Sequence, residues 1–102
     1  MKHYTKEYFR AFGYDISDII TCELCSRRRA VDISHIFPKG SNPSLRDRIE
    51  NLVASCRECH DEKGDAPQWR NWSLRVHRQH MDSSGVKYSV KLMESLLNKT
   101  DI

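Results

Sequence analysis

The sequence predicts a small α+β fold, in which a cysteine-rich hairpin and short helix are flanked by N- and C-terminal helices. Two cysteine pairs, β-forming residues between them and helical periodicity at both ends of the chain predict this class. A chain of 102 residues has room for one domain with a small core. A domain of this size often needs additional stabilisation, such as a bound metal ion. We expect one domain over residues 1–102, with its core at about 21–65 and a helical extension at about 66–102.

Composition is that of a globular protein, since 38% of the residues are hydrophobic and 30% are charged. No apolar run approaches the roughly 20 residues that span a bilayer, and Met1–Arg10 lacks the apolar core of a signal peptide. We therefore expect no membrane partner. The net charge of +3 is only mildly basic, and the arginine cluster at 27–29 suits either a phosphate backbone or an ordinary solvated face.

The four cysteines are the first specific signal, because they form two pairs with two residues inside each. The pairs are Cys22 with Cys25 and Cys56 with Cys59. This spacing lets both sulfurs of a tight turn face one tetrahedral ion, and four thiolates complete a closed, structural zinc site. The alternative is a pair of disulfides, which requires an oxidising compartment, and the lack of a secretory signal favours zinc.

Periodicity predicts the elements of the core and its N-terminal flank. Tyr4, Tyr8 and Phe12 recur at helical spacing and Gly13 follows as a stop signal, so a helix of about two turns is expected. Two strands follow at about 30–37 and 52–54, and a short helix at about 59–63.

The extension is predicted to contain two helices. Asp65 and Pro67 form a good helix start, since a carboxylate caps the first turn and proline is tolerated there. The turn at 82–85 ends this helix, and the length and composition of the last segment favour a helix over a strand.

Aromatic and imidazole side chains on the first of these helices are expected to be structural. Trp69 and Trp72 share one face with Val76, and such a pair is more typical of a core than of base stacking. His77 and His80 are expected at the surface or edge of the helix.

A compact polar group lies between and beside the cysteine pairs, formed by Asp32, Ser34, His35, Asn51 and His60. Strand alternation points Asp32 and Ser34 to one face and His35 to the other face or to the strand end. Imidazole, carboxylate and amide oxygen are all ligands for a divalent ion.

Three segments carry a family resemblance: Cys22-x2-Cys25, Val31-Asp32-Ile33-Ser34-His35-Ile36 and Asn51-Leu52-Val53-Ala54-Ser55-Cys56-x2-Cys59-His60-x2-Lys63. Together they resemble HNH endonucleases with the ββα-metal motif. The resemblance covers residues 21–65 closely, and Phe12-Gly13-Tyr14-Asp15-Ile16 also looks like small HNH proteins of phages and prophages. It implies a metal-dependent endonuclease that hydrolyses DNA, double-stranded DNA being the expected partner, in the cytoplasm of a bacterium or phage-infected host.

The resemblance also implies roles for individual residues. His35 stands at the position of the general base, which takes a proton from the attacking water, and a pKa near neutrality suits that task. His60 matches a metal-ligand position, while Asn51 matches a position that binds metal in some members and braces the loop carrying the base in others. The catalytic ion would be Mg²⁺ or another divalent metal such as Mn²⁺, and the products would carry 5′-phosphate and 3′-hydroxyl ends.

One position departs from the family pattern, since Ser34 stands where a His or Asp usually binds the metal. We expect Asp32 to substitute at least partly, with weaker metal affinity as the consequence. The alternative is a catalytically weak or inactive zinc-containing module that binds nucleic acid. A zinc-dependent deaminase is excluded, because that chemistry needs an open zinc site and all four cysteines are used.

Four basic residues are candidates for contacts with phosphates that flank the cut: Lys39, Arg46, Arg48 and Lys63. The sequence does not indicate a target, a choice between nicking and double-strand cleavage, or an oligomeric state.

Overall fold

The computed structural model describes residues 1–64 and 66–100 of the chain. Across these residues, four α-helices surround a two-stranded antiparallel sheet, so the predicted α+β class is confirmed. The elements are α1 His3–Phe12, β1 Asp32–His35, β2 Leu52–Ser55, α2 Arg57–Lys63, α3 Arg70–Ser83 and α4 Val90–Thr100. Within the described ranges, no helix is long and apolar enough to cross a membrane.

Helix α1 covers one face of the sheet. It ends at Gly13, whose φ of 74° is the left-handed conformation that a glycine adopts without strain. Tyr4 and Tyr8 are buried in a cluster with the sheet residues Ile33 and Leu52. The N-terminal helix predicted from their spacing is therefore confirmed, and it leaves the opposite face of the sheet to α2 and α3.

The hairpin is shorter on its first strand than predicted but has the expected alternation. Asp32 lies opposite Ser55 and Ser34 lies opposite Val53, so these side chains share the face that α1 does not cover. Helix α2 begins at Arg57 rather than near Cys59, because the Cys56 sulfur caps its first turn by accepting the Cys59 N–H.

The extension forms a helical hairpin that closes the main core. Asp65, the predicted helix start, lies outside the described residues; Pro67–Trp69 form a 3₁₀ turn and α3 begins at Arg70. The second predicted helix is confirmed as α4. The buried apolar side chains of this helical hairpin pack with residues of the strand ends and loops. These side chains are Leu74, Met81, Val86, Met93 and Leu96.

The expectation that Trp69 and Trp72 belong to the core is wrong. Trp72 is 37% exposed and Trp69 is half-buried, with the two rings in an edge-to-face contact at 5.5 Å between centroids. The ammonium group of Lys63 lies 4.6 Å from the Trp69 centroid and 5.6 Å from that of Trp72. The two tryptophan rings therefore pack against the Lys63 ammonium group where α2 and α3 meet.

The expectation that His77 lies at the helix surface is also wrong, since its side chain is fully buried. Nδ1 lies 2.7 Å from the Glu23 carboxylate and Nε2 lies 2.6 Å from the Ile49 carbonyl oxygen. Each ring nitrogen of His77 therefore faces an oxygen that can accept a hydrogen bond. Tyr8 donates its hydroxyl to the other Glu23 oxygen, so one buried network joins α1, the first cysteine pair and α3.

Candidate functional site

The four cysteines converge on one point, as their spacing predicts. They are free thiols whose sulfur atoms all lie within 4.8 Å of one another. The sulfurs of Cys25 and Cys56 are 3.9 Å apart. Four sulfurs at about 2.3 Å from a tetrahedral ion are separated by about 3.8 Å, so the cluster is arranged to bind a metal and is consistent with structural zinc.

The backbone around the first cysteine pair favours the thiolate form that a metal requires. N–H groups of Arg28 and Arg27 lower the pKa of the Cys25 thiol to about 6. Ser26 directly follows Cys25 with a φ of 57°, a left-handed conformation that turns the chain back toward its sulfur. Burial raises the pKa of Cys22 and Cys59, and a bound cation would offset that effect.

His35 lies at the end of β1, where the chain leaves the sheet. Its Nε2 is 2.9 Å from the carbonyl oxygen of Arg46, which accepts a hydrogen bond and has no proton to give. Nε2 therefore carries the proton of the neutral ring, and Nδ1 is left as the acceptor. The Tyr4 ring packs edge-on against the imidazole, with centroids 4.4 Å apart, and fixes its plane.

The surroundings of His35 favour its neutral form. Burial lowers the pKa of the imidazole from 6.5, opposed by the Arg46 carbonyl, and the charge of Lys39 lowers it further. Asp47 and Asp32 act in the opposite direction. The geometry and the charges together give an imidazole that is able to accept a proton near neutral pH.

The face of the sheet turned toward α2 carries Asp32 and Ser34, and His60 borders the same space from α2. A cleft of about 260 Å³ is lined by Tyr4, Asp32, Ile33, Ser34, His35, Pro38, Lys39, Gly40, His60 and Gly64. An adjoining inner cavity of about 10 Å³ shares Ser34, His35, His60 and Gly64 with that cleft. His35 and His60 therefore border the same space, one from the strand end and one from α2.

The residues that line this space supply only part of a ligand set for a second metal ion. His60 has a buried Nδ1 without a hydrogen-bond partner among the described residues, and the Asp61 carboxylate lies 3.8 Å from it. Ser34 is tied to Ser55 by a hydrogen bond of 2.6 Å between hydroxyl oxygens. In residues 1–64 and 66–100, the cysteine cluster is the one group of three or more His, Cys, Asp or Glu side chains placed to share an ion. Asp32 and His60 thus line one cleft without forming a ready ligand set.

Asn51 is fully buried and lines neither the cleft nor the inner cavity. Its Oδ1 accepts the Phe37 N–H at 2.7 Å, while Nδ2 donates to the carbonyls of Phe37 at 3.0 Å and Leu45 at 3.3 Å. These bonds hold the segment that follows His35. The contacts fit the bracing alternative for Asn51 and leave it no oxygen turned toward a metal.

The four basic residues proposed for phosphate contacts have different surroundings. Lys39 is exposed at the cleft, 5.1 Å above the Tyr4 ring. Arg46 pairs with Asp47 at 3.1 Å, and Arg48 pairs at 3.1 Å with the buried Glu50. Lys63 is engaged by Glu62 and by the two tryptophan rings.

Three contacts near the site were not identified from the sequence. Tyr4 contacts His35 from a different element, and Glu23 holds the buried His77, 54 positions away in the chain. Arg70 lines the inner cavity from the start of α3. No local pattern indicates any of these contacts, because each depends on how distant elements pack.

The hairpin, the helix α2 and the four-cysteine cluster form a small α+β unit in which four sulfurs are arranged to bind a metal. Residues 22–66 match the family model described as HNH endonuclease, so this segment is similar to a family with nuclease-type function. Comparison with curated proteins and with solved structures gives no match.

Proposed function

We propose that the protein is a metal-dependent endonuclease that hydrolyses phosphodiester bonds of DNA, with His35 as the general base. The observation that carries this proposal is the Arg46 carbonyl, which accepts from His35 Nε2 at 2.9 Å and leaves Nδ1 to receive a proton. A base held by a hydrogen bond on its other nitrogen is oriented before substrate arrives.

In the proposed reaction, a water molecule held in the cleft gives a proton to Nδ1 of His35 as its oxygen attacks phosphorus. The bond from phosphorus to the 3′ oxygen breaks and the leaving oxygen takes a proton from solvent water, which yields 5′-phosphate and 3′-hydroxyl ends. A divalent ion bound at the cleft would supply positive charge to the phosphate and to the leaving oxygen. The imidazolium that forms lies near Asp32 and Asp47, whose charges favour it.

His60 and Asp32 are the residues proposed to hold that ion. His60 offers a ring nitrogen, Asp32 an exposed carboxylate at the same cleft, and water or substrate oxygens would complete the shell, as Mg²⁺ commonly accepts. The Ser34 hydroxyl is already hydrogen-bonded to the Ser55 hydroxyl, so we expect the cleft to bind the ion weakly. Asn51 is proposed as a positioning residue, and Lys39 as a contact to a flanking phosphate.

A second candidate function is a zinc-containing nucleic-acid-binding module with little or no cutting activity. The Ser34–Ser55 hydrogen bond and the incomplete ligand set favour it. Both functions share the zinc centre and the nucleic-acid partner, and they differ only in whether the His35 side of the cleft performs chemistry.

Plasmid cleavage with Mg²⁺ or Mn²⁺ distinguishes the two functions. We expect the native chain and His80→Ala to cut, since His80 lines neither the cleft nor the inner cavity, and His35→Ala to lose activity. Cutting by Ser34→His alone would assign the native chain to the binding module. Cutting by His35→Ala at the native rate would remove the general base from the proposal.

A further inference from the structure

Arg70 is the first residue of α3 and lies beyond the segment that matches the family. The helical extension brings it to the inner cavity, whose wall it shares with Ser34 and His60. Its guanidinium carbon lies 5.3 Å from the centroid of the Phe37 ring, two residues after His35. The side chain is therefore held against the segment that carries the proposed base.

The guanidinium of Arg70 is incompletely satisfied. Its Nε is buried and has no hydrogen-bond partner among the residues that the structure describes. Arginine remains charged at any pH a protein experiences, so it cannot relieve burial by losing its proton. A buried charged donor without an acceptor is costly, so an acceptor oxygen that reaches this donor, above all an anionic one, would bind favourably.

The charges around the inner cavity indicate the same kind of ligand. Among its described lining residues, two are cationic and none is Asp or Glu. The second cation, Lys63, is engaged by Glu62 and by the ring of Trp69. Arg70 thus lines the same cavity as Ser34 and His60, and its described lining contains no carboxylate.

We propose that Arg70 binds a non-bridging oxygen of the phosphate that is cleaved. This inference rests on the proposed function and adds a phosphate-binding residue that the helical extension, not the family-matched segment, supplies. A planar guanidinium donates to a phosphate in a fixed orientation, which the single ammonium of lysine does not reproduce.

The test compares Arg70→Met and Arg70→Lys with Arg75→Met, a control on the same helix whose exposed side chain lines a different groove. Cleavage of a plasmid is measured with Mg²⁺, and binding of a fluorescent DNA duplex is measured by anisotropy without added Mg²⁺. We expect Arg70→Met to lower kcat by roughly 100-fold, with a much smaller change in KM. Its duplex affinity should fall about threefold or more below that of the control.

The two readouts separate this inference from the proposed function. If the native chain binds duplex but does not cut it, the nuclease proposal fails, and the binding difference between Arg70→Met and Arg75→Met still tests Arg70. Arg70→Lys, which keeps the charge, should fold as the native chain does while recovering less than about a tenth of its kcat. Equal cutting and equal binding by Arg70→Met and Arg75→Met would overturn the inference, as would full recovery by Arg70→Lys.

Discussion

The Nε2–H of His35 donates to the carbonyl oxygen of Arg46 at 2.9 Å, so the end of β1 is joined to the middle of the loop that follows it through the side chain of the proposed base. Arg46 contributes here through its backbone, and its guanidinium is paired with Asp47. The conformation of this loop therefore determines the orientation of the His35 imidazole. Changes that loosen the loop should alter the chemistry proposed for His35.

The lowered pKa of His35 predicts the pH dependence of cleavage. A general base acts in its neutral form, which predominates above its pKa, so kcat/KM should fall on the acid side with a midpoint below 6.5. Lys39→Met removes a charge that lowers this pKa, and the midpoint should move upward. Lys91→Met, an exposed change on α4, serves as the control. An unchanged midpoint in Lys39→Met would contradict the assignment of the acid limb to His35.

Asn51→Ala should lower both stability and turnover. The change removes the partner of the Phe37 N–H and of the Phe37 carbonyl, while the Leu45 carbonyl keeps the Arg48 N–H, at a cost of about 2–4 kcal/mol in the free energy of unfolding. Urea unfolding measures this loss. If Asn51 is a positioning residue, kcat should fall more than KM at a temperature where the variant is fully folded, and metal affinity should be unchanged. Loss of metal affinity alone would make it a ligand instead.

Zinc removal should unfold the hairpin and α2. Cys22 and Cys56 are each about 99% buried, and we expect the folded core to depend on an ion that joins the two cysteine pairs. Elemental analysis should give one zinc per chain, and a chelator should abolish the circular-dichroism signal of the native fold. A zinc-free chain with four reduced cysteines and an intact fold would contradict this prediction.

The buried pair of Glu23 and His77 should be strongly coupled. His77→Leu leaves the Glu23 carboxylate buried with less compensation, and we expect a loss of about 3–5 kcal/mol. A double-mutant cycle with Glu23→Gln should give a coupling energy above about 1 kcal/mol, because the two groups share a 2.7 Å contact. His80→Leu on the same helix is the matched control. Additive losses would show that the pair does not interact.

The four-cysteine cluster and the hairpin were predictable because their signals are local. Cysteine spacing and strand alternation act over a few residues, and the observed register places Asp32 and Ser34 on one face as expected. The site was predictable only in part. Burial around His35, its bond to the Arg46 carbonyl and the bracing contacts of Asn51 depend on loops that local sequence does not define.

The face of α3 that packs inward could not be chosen from helical spacing alone. Trp69 and Trp72 form the more apolar stripe, whereas the buried stripe contains Ser73 and His77 beside Leu74. The polar members of that stripe are tolerated because Glu23 and the Ile49 carbonyl satisfy His77. Glu23 lies 54 positions away, so no periodic pattern marks the pair.

Chemical rescue of His35→Ala tests the central claim most directly. With Mg²⁺ present and zinc content matched to the native chain, His35→Ala should cut DNA about 10²- to 10⁴-fold more slowly than the native protein. Added imidazole should restore part of that rate by taking the proton that Nδ1 of His35 would have taken. Native-rate cutting by His35→Ala without imidazole would contradict the account.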